Sequence, residues 1–181
     1  KHQVNLKWFF FSSTSHVYNF SKKKISERKR LNPISKYGKT KKYAENYIIK
    51  KFNSRKINFC IGRIFSFFSN NQPLDYLVPV LIKKLSNKRN KKIILKDLNH
   101  YRDFIKIIKI IKIIKFLHRK KFTGIINIGS GKKIYLKKIV KKLNKYNVKV
   151  EFKDGKKMNT LVADISKLRS LGYKDKNLSP F

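Results

Sequence analysis

The chain has 181 residues, which is enough for one ordinary domain or for part of a larger protein. Apolar residues make up 41% of it, and 14 Phe and 9 Tyr exclude a disordered polyelectrolyte. The formal net charge of +38 raises the question of a nucleic-acid or membrane partner.

The positive charge comes mainly from lysines that are spread over every segment of the chain. Arginine, whose guanidinium makes bidentate contacts with phosphate and guanine, is scarce, and abundant Lys, Ile and Asn are typical of an A- and T-rich genome. We therefore expect no specific nucleic-acid partner, and a basic nucleic-acid-binding protein is the less favoured alternative. No apolar run approaches the ~18 residues of a membrane helix, so we expect no membrane insertion.

Cys60 is the single cysteine, and it lies in the apolar run INFCIGRIF. A lone cysteine forms no internal disulfide, so we expect a buried thiol in a reducing compartment, which favours a cytoplasmic protein. The four histidines, at positions 2, 16, 100 and 118, lie far apart, so no metal site is predicted.

The first third of the chain predicts a strand, a helix and a second strand. The apolar run LKWFFFSS (6–13) predicts a buried strand, and a helix is predicted from Lys36 to Phe52. The continuous apolar run INFCIGRIFSFF (57–68) is typical of a strand buried on both faces, as in parallel sheets. This order and these lengths predict a βαβ unit.

The remainder of the chain predicts a series of short elements. A turn at 70–73 precedes a helix over 74–87 that Pro79 should kink, and KKIILKD predicts a short strand. Lysines recur at every third position within 101–121, which favours an apolar helix packed on a sheet over a membrane-surface helix. Three further patterns complete the chain: strand, glycine turn and helix over 124–146, a strand over 148–153, and a closing helix over 163–173.

Two glycine patterns resemble phosphate-binding loops, but each lacks a residue that its motif requires. GSGKKI (129–134) begins like G-x-G-x-x-G, but Ile134 stands at the third glycine position. Gly124 and Gly129 have the spacing of a P-loop, but Ser130 stands where lysine is needed. The sequence therefore shows no phosphate-cradling loop.

Tyr37 and Lys41 form a Y-x-x-x-K pattern at the start of the predicted helix. Positions i and i+4 share one helix face, so the phenol and the ammonium can point into the same space. A nearby ammonium favours the phenolate, and such a tyrosine can exchange a proton with a sugar hydroxyl or ketone. The pattern is weak by itself, because YNFSK (18–22) repeats it and a solvated helix start also fits.

The order of six segments resembles the extended short-chain dehydrogenase/reductase family of nucleotide-sugar epimerases and dehydratases. FFFSSTSHVYN looks like the family's strand-five segment, and NPISKYGKTKKYAE looks like its Pro-x-Ser-x-Tyr-Gly-x-Ser/Thr-Lys segment. GRIFSFFSNNQP, RDFI, NIGSG and ADISKLRSLGY follow in the family's order. The resemblance covers nearly the whole chain and implies an α/β fold, the later half of a Rossmann-type parallel sheet plus a small substrate-binding lobe.

The resemblance also implies roles for individual residues. Tyr37 would be the catalytic acid/base, and Lys41 would bind the nicotinamide ribose of NAD or NADP and favour the phenolate. Thr14 would hydrogen-bond the reacting sugar oxygen, and the backbone near Ile64 would line the nicotinamide pocket. Arg102 would contact the diphosphate of a nucleotide-diphosphate sugar, a role that suits a guanidinium.

Some positions depart from the family's pattern. Asn19 replaces a usual glycine, and Lys109 lies near a usual aspartate. Ser66 stands where an asparagine usually contacts substrate, so it is the substrate-binding candidate at that position. The family's amino-terminal half, whose G-x-x-G-x-x-G loop holds the adenosine and pyrophosphate, has no counterpart in these 181 residues.

The predicted organisation places residues 1–64 in the carboxyl-terminal part of the dinucleotide-binding fold, together with the catalytic residues. Residues 65–181 would form mainly the substrate-binding lobe, with 101–120 packing back on the Rossmann part. The predicted function is an NAD(P)-dependent nucleotide-sugar epimerase, dehydratase or 4-keto reductase, with a homodimer left open as its assembly. The alternative is an inactive, truncated remnant of the same family.

Overall fold

The computed structural model describes residues 6–69, 71–87, 91–155 and 158–181, so residue 70 of the predicted turn lies outside the described residues. The strands are β1 (Phe9–Thr14), β2 (Phe59–Ile64), β3 (Ser66–Phe68), β4 (Lys92–Lys96), β5 (His100–Arg102), β6 (Phe104–Lys106), β7 (Gly124–Ile128), β8 (Ile134–Tyr135), β9 (Lys149–Lys153) and β10 (Asn159–Leu161). The helices are α1 (Lys36–Ser54), α2 (Leu77–Ser86), α3 (Ile107–Arg119), α4 (Leu136–Leu143) and α5 (Ser166–Ser170).

The central sheet consists of β1, β2 and β7, which are parallel and hydrogen-bonded in that order. Helix α1 connects β1 to β2, so the predicted βαβ unit is confirmed. The pairing register places Thr14 opposite Ile64, and Ile64 opposite Ile128. The carboxyl ends of the three strands therefore lie side by side at one edge of the sheet.

Helices cover both faces of β2, because successive side chains of a strand point to opposite sides. Phe59 and Ile61 pack with Ile48 of α1 on one face. Cys60 faces the other way, into the core that contains Ile113 of α3. The free Cys60 thiol is buried, as predicted, and this burial raises its pKa to about 12.

Helix α3 is amphipathic in spite of its regular lysines. Ile110, Ile113 and Leu117 follow the spacing of one helix face and are buried against the sheet. Lys109 lies off that face and forms an ion pair with Asp175 at 2.6 Å. No helix within the described ranges is long and apolar enough to cross a membrane.

The strand predicted over 57–68 is divided in the structure. β2 ends at Ile64, and Phe65 is buried and donates its N–H to the carbonyl oxygen of Ile128 at 2.9 Å. From Ser66 the chain pairs with β6 in a separate two-stranded sheet. The apolar run is continuous, but it belongs to two sheets, and no property of the run itself marks the division.

Two predicted helices begin later than their sequence patterns indicate. The pattern over 101–121 becomes helical only at Ile107, because residues 100–102 and 104–106 pair as strands β5 and β6. Helix α2 begins at Leu77, so Pro79 lies in its first turn. A proline there removes no helical hydrogen bond, since the first N–H groups of a helix have no partner within it.

The other strands of the described residues form three small sheets. Strands β10, β5 and β8 make one sheet, β3 and β6 another, and β4 and β9 a third. Leu81 of α2, Ile139 of α4 and Leu95 of β4 share a separate buried core. That this lobe binds substrate stays a prediction.

Candidate active site

A cavity of about 580 Å³ lies at the carboxyl ends of β1 and β2. Five of the six predicted site residues line it: Thr14, Tyr37, Ile64, Ser66 and Arg102. They come from separate segments of the chain, and the fold brings them together. The sixth, Lys41, lies next to this lining.

Helix α1 presents Tyr37 to the cavity from its first turn. Ser35 caps the helix, because its side-chain oxygen accepts a hydrogen bond from the N–H of Gly38 at 3.0 Å. The helix start also touches the backbone of His16 so closely that a Cβ at Gly38 would collide with the His16 carbonyl oxygen. Glycine at this position therefore lets the tyrosine approach the end of β1, where 54% of its surface is exposed.

Lys41 lies one turn further along α1, on the same side as Tyr37. Its Nζ donates a hydrogen bond to the carbonyl oxygen of Ser12 at 2.9 Å. The same atom lies 5.9 Å from the centre of the Tyr37 ring and 4.8 Å from that of Phe11. The ammonium is thus tethered to β1 beside the phenol, as the i, i+4 spacing indicates.

Thr14 ends β1 and is buried at the cavity wall. Its Oγ1 accepts a hydrogen bond from the N–H of His16 at 3.2 Å, which caps a short 3₁₀ turn over Ser15–Val17. A hydroxyl has one hydrogen to donate besides its acceptor lone pairs. The hydrogen of Thr14 is not used by this capping bond and can be donated to a group in the cavity.

Arg102 ends β5 and brings positive charge to the cavity. Its Nη1 donates to the carbonyl oxygens of Tyr101 at 2.9 Å and Asn159 at 3.3 Å, and the guanidinium lies 5.3 Å from the Phe20 ring centre. Burial lowers the pKa of Arg102, but a guanidinium titrates so far above neutrality that the group stays charged. These hydrogen bonds to backbone carbonyl oxygens hold the guanidinium in place through Nη1.

Two histidines also line the cavity, and the sequence patterns assigned neither of them a role. The ring of His16 packs edge-on against Tyr37, with 6.0 Å between ring centres. Burial and then the charge of Arg102 lower the pKa of His16, and the same two causes lower that of His100. Both imidazoles are therefore neutral near pH 7. The available signals were that His16 follows Thr14 at a strand end, and that His100 alternates with Arg102 along β5.

A buried ion pair joins α1 to the sheet next to the cavity. Nη2 of Arg63 lies 2.7 Å from Oε2 of Glu45, and both side chains are almost fully buried. The hydroxyl of Tyr18 accepts from Arg63 at 2.8 Å and donates to Asn127 at 2.9 Å. Burial lowers the pKa of Arg63, and the hydrogen bond with Glu45 raises it, with a net upward shift. The sequence patterns did not predict this pair, because its partners lie on different elements.

Comparison with known families and curated proteins agrees with this geometry. The family model described as GDP-mannose 4,6 dehydratase matches residues 2–177. The chain is 32% identical to dTDP-4-dehydro-6-deoxyglucose reductase of Escherichia coli, covering 93% of this chain and 56% of the relative. It is 31% identical to an uncharacterised UDP-glucose epimerase of Bacillus subtilis, covering 94% of this chain and 56% of the relative. The chain therefore spans little more than half the length of these relatives.

Solved structures show the same fold. A variant of UDP-glucuronic acid 4-epimerase from Bacillus cereus has a TM-score of 0.85 at 25% identity, over 98% of this chain and 59% of that one. UDP-N-acetylglucosamine 4-epimerase from Methanobrevibacter ruminantium has a TM-score of 0.82 at 25% identity, over 96% and 59% of the two chains. The predicted α/β, Rossmann-like fold is thereby confirmed. Since the family model spans nearly the whole chain, the chain belongs to the NAD-dependent nucleotide-sugar epimerases and dehydratases of the extended short-chain dehydrogenase/reductase family.

Proposed function

We propose that the protein carrying this chain oxidises or reduces a sugar carbon of a nucleotide-diphosphate sugar with NAD or NADP, as an epimerase, dehydratase or 4-keto reductase. The observation that supports this best is the convergence of Thr14, Tyr37 and Arg102 on one cavity, with Lys41 beside the tyrosine. A proton-transferring group, an oxygen-binding hydroxyl and an anion-binding guanidinium are the parts that such a reaction needs.

Tyr37 would transfer the proton in this proposal. Its phenolate oxygen would accept the proton of the sugar hydroxyl when that carbon is oxidised, and the phenol would return the proton when the ketone is reduced. The Lys41 ammonium, 5.9 Å from the ring centre, stabilises negative charge on the phenol oxygen. Thr14 would donate its hydroxyl hydrogen to the same sugar oxygen and so hold it in place.

The residues present fit the nicotinamide end of the cofactor. Ile64 lines the cavity, and its backbone would face the nicotinamide. The Lys41 ammonium, bonded to Ser12 of β1, would donate a further hydrogen bond to a ribose hydroxyl. When bound, NAD or NADP would accept or supply the hydride of the reaction. These 181 residues show no G-x-x-G-x-x-G loop, so we assign only this end of the cofactor to them.

Arg102 would bind the diphosphate of the substrate. A charged fork that already lines the cavity can donate to phosphate oxygens, and charge-assisted bonds of this kind are strong. Arg102 brings a permanent positive charge to the cavity, whereas burial and then the charge of Arg102 lower the pKa values of His16 and His100. Ser66, also on the wall, would contact the sugar.

Relatives with known names support a nucleotide-linked sugar as the substrate class. The E. coli relative is named for a dTDP-linked deoxysugar, and the B. cereus and M. ruminantium structures contain UDP-linked sugars. The B. cereus complex also contains NAD. We extend this substrate and cofactor class to the present protein and leave the base and the sugar open.

The test is an assay of the whole protein with NAD or NADP and a panel of UDP- and dTDP-linked hexoses, with products identified by NMR. We expect turnover of at least one member, and we expect Tyr37→Phe to lower kcat by about 10²–10⁴-fold, the usual contribution of a general acid/base. Tyr43→Phe is the matched control, because Tyr43 is on the same helix but 75% exposed and outside the cavity lining. An inactive parent protein, or a Tyr37→Phe variant as active as the control, would contradict the proposal.

A further inference from the structure

We infer that Glu45 is a positioning residue, which holds helix α1 against the ends of β1 and β2 so that Tyr37 and Lys41 face the cavity. The inference rests on the proposed function of that cavity. It concerns a fully buried side chain that does not itself line the cavity and is connected to the lining through Ser13.

Glu45 belongs to the same stripe of α1 as the two proposed catalytic residues. Tyr37, Lys41 and Glu45 are spaced by four residues, so they follow one another along one side of the helix. Exposure falls along this stripe from 54% at Tyr37 to 0% at Glu45. One side of α1 therefore meets the cavity at its start and the sheet two turns later.

The Glu45 carboxylate binds both strands whose ends form the cavity. It accepts a hydrogen bond from the hydroxyl of Ser13 on β1. It also accepts from Nε of Arg63 at 3.1 Å and from Nη2 of Arg63 at 2.7 Å, both on β2. These bonds come from paired positions of two neighbouring strands, so a shift of α1 along the strands would break them.

The residues next to these partners are site residues. Ser13 lies between Ser12, whose carbonyl oxygen holds the Lys41 ammonium, and Thr14 on the cavity wall. Arg63 immediately precedes Ile64, which lines the cavity beside Thr14. The contacts of Glu45 with the two strands therefore fix the position of α1 relative to the site residues on those strands.

The network around the pair leaves Arg63 little freedom to follow a displaced partner. Its Nη1 donates to the hydroxyl of Tyr18 at 2.8 Å and to the carbonyl oxygen of Glu27 at 3.2 Å. Tyr18 in turn donates to Asn127 on β7. A buried ion pair adds little net stability, because desolvation offsets its attraction. The contribution of this arrangement is therefore to fix the orientation of α1 relative to the strands.

The consequence for the proposed reaction is large, because proton transfer depends steeply on geometry. A misplacement of about 1 Å can cost on the order of 10²-fold in rate. We therefore expect Glu45→Gln, in the whole protein, to lower kcat by about that factor while KM for the nucleotide sugar changes little, since Arg102 is untouched.

A second readout needs neither cofactor nor substrate. Hydrogen–deuterium exchange of the amides of residues 38–42 reports directly whether the first turns of α1 are held. In Glu45→Gln we expect faster exchange there than in the parent protein, with exchange in α3 unchanged.

Two further variants separate positioning from general stability. Glu45→Gln leaves Arg63 with a weakened partner and can unfold the protein, whereas the double change Glu45→Met with Arg63→Met removes both buried charges and should preserve folding. The double variant should still show the lower kcat and the faster exchange. Ile113→Ala, in the core on the opposite face of the sheet, should lower Tm and leave kcat and the exchange of residues 38–42 as in the parent.

The outcomes distinguish this inference from the proposed function. A folded double variant with parental kcat and parental exchange would overturn the positioning role of Glu45. If Ile113→Ala lowered kcat and accelerated exchange as much as the Glu45 variants at equal loss of Tm, the role would reduce to stability and the inference would also fail. An inactive parent protein would contradict the proposed function alone, and the exchange measurement would still decide whether Glu45 holds α1.

Discussion

Two Y-x-x-x-K segments of this chain lie in opposite environments. Tyr18 is 3% exposed, and its hydroxyl is bonded to both Arg63 and Asn127. Tyr37 is 54% exposed and lines the cavity. The comparison teaches that the motif has chemical meaning only where a helix start places it at the end of a strand.

The lysines differ in the same way. Lys22 is exposed on a bend outside any helix, so no regular geometry relates it to Tyr18. Lys41 is bonded to Ser12 and lies beside the Tyr37 ring. Burial, only partly opposed by Arg63, raises the pKa of Tyr18 to about 12, so its phenol stays neutral at physiological pH. The first segment is structural, and the second is the one to which we assign proton transfer.

Exchanging the two hydroxyls for hydrogens should produce opposite effects. Tyr37→Phe should lose turnover as described above and keep the Tm of the parent, because its hydroxyl faces the cavity. Tyr18→Phe should lower the free energy of unfolding by about 1–3 kcal/mol, because Arg63 and Asn127 each lose a buried partner. Denaturant titrations and kcat measurements on both variants check this, and a destabilised Tyr37→Phe with an unaffected Tyr18→Phe would reverse our reading of the two segments.

Removing the ammonium group of either lysine should have a smaller effect on turnover than Tyr37→Phe, and the effect should differ between the two segments. Lys41→Met removes the charge next to Tyr37 that would stabilise negative charge on the phenol oxygen during proton transfer, so kcat should fall. Lys22→Met removes a charge of the same sign from an exposed bend and should leave kcat unchanged. The measurement is kcat of each variant under identical conditions; equal kcat values for both would remove Lys41 from the proposed mechanism.

The smallest expected effect concerns His16, which packs against Tyr37, whereas the ring of Tyr18 packs against that of Phe65. Burial and Arg102 keep the pKa of His16 below its unfolded value of about 6.5. Its contribution to stability is therefore complete above about pH 6.5 and is lost as the pH falls through the folded pKa. His16→Gln should reduce the loss of Tm between about pH 7 and pH 5, measured by thermal unfolding of both proteins across that range. Equal slopes in the parent and in His16→Gln would show that this histidine is not held neutral by the fold.

Some features of the candidate site were predictable because they are local. The cap at Ser35 and the i, i+4 relation of Tyr37 and Lys41 depend on a few consecutive residues. Thr14 and Arg102 were assigned as site residues by resemblance. The structure places all four at or beside one cavity, while their catalytic and binding roles stay proposals.

Other features depend on which elements pack together. The division of one apolar run at Phe65 arises because its two parts pair with different strands, β7 and β6. His100 enters the cavity only because β5 lies between β10 and β8. The hydrophobic pattern predicts neither of these strand pairings, because it indicates which residues are buried but not which strand lies next to them.

Three features could be predicted from the amino-acid sequence alone: the order of strands and helices in the βαβ unit, the family to which the chain belongs, and the face of α1 that bears Tyr37 and Lys41. Only the tertiary structure decided that Glu45, on that same face, would meet Arg63 and Ser13 from two strands and bury its charge between them. The physical reason is range: helix periodicity and capping act over a few residues, whereas a buried charge is tolerable only where distant segments supply its partners.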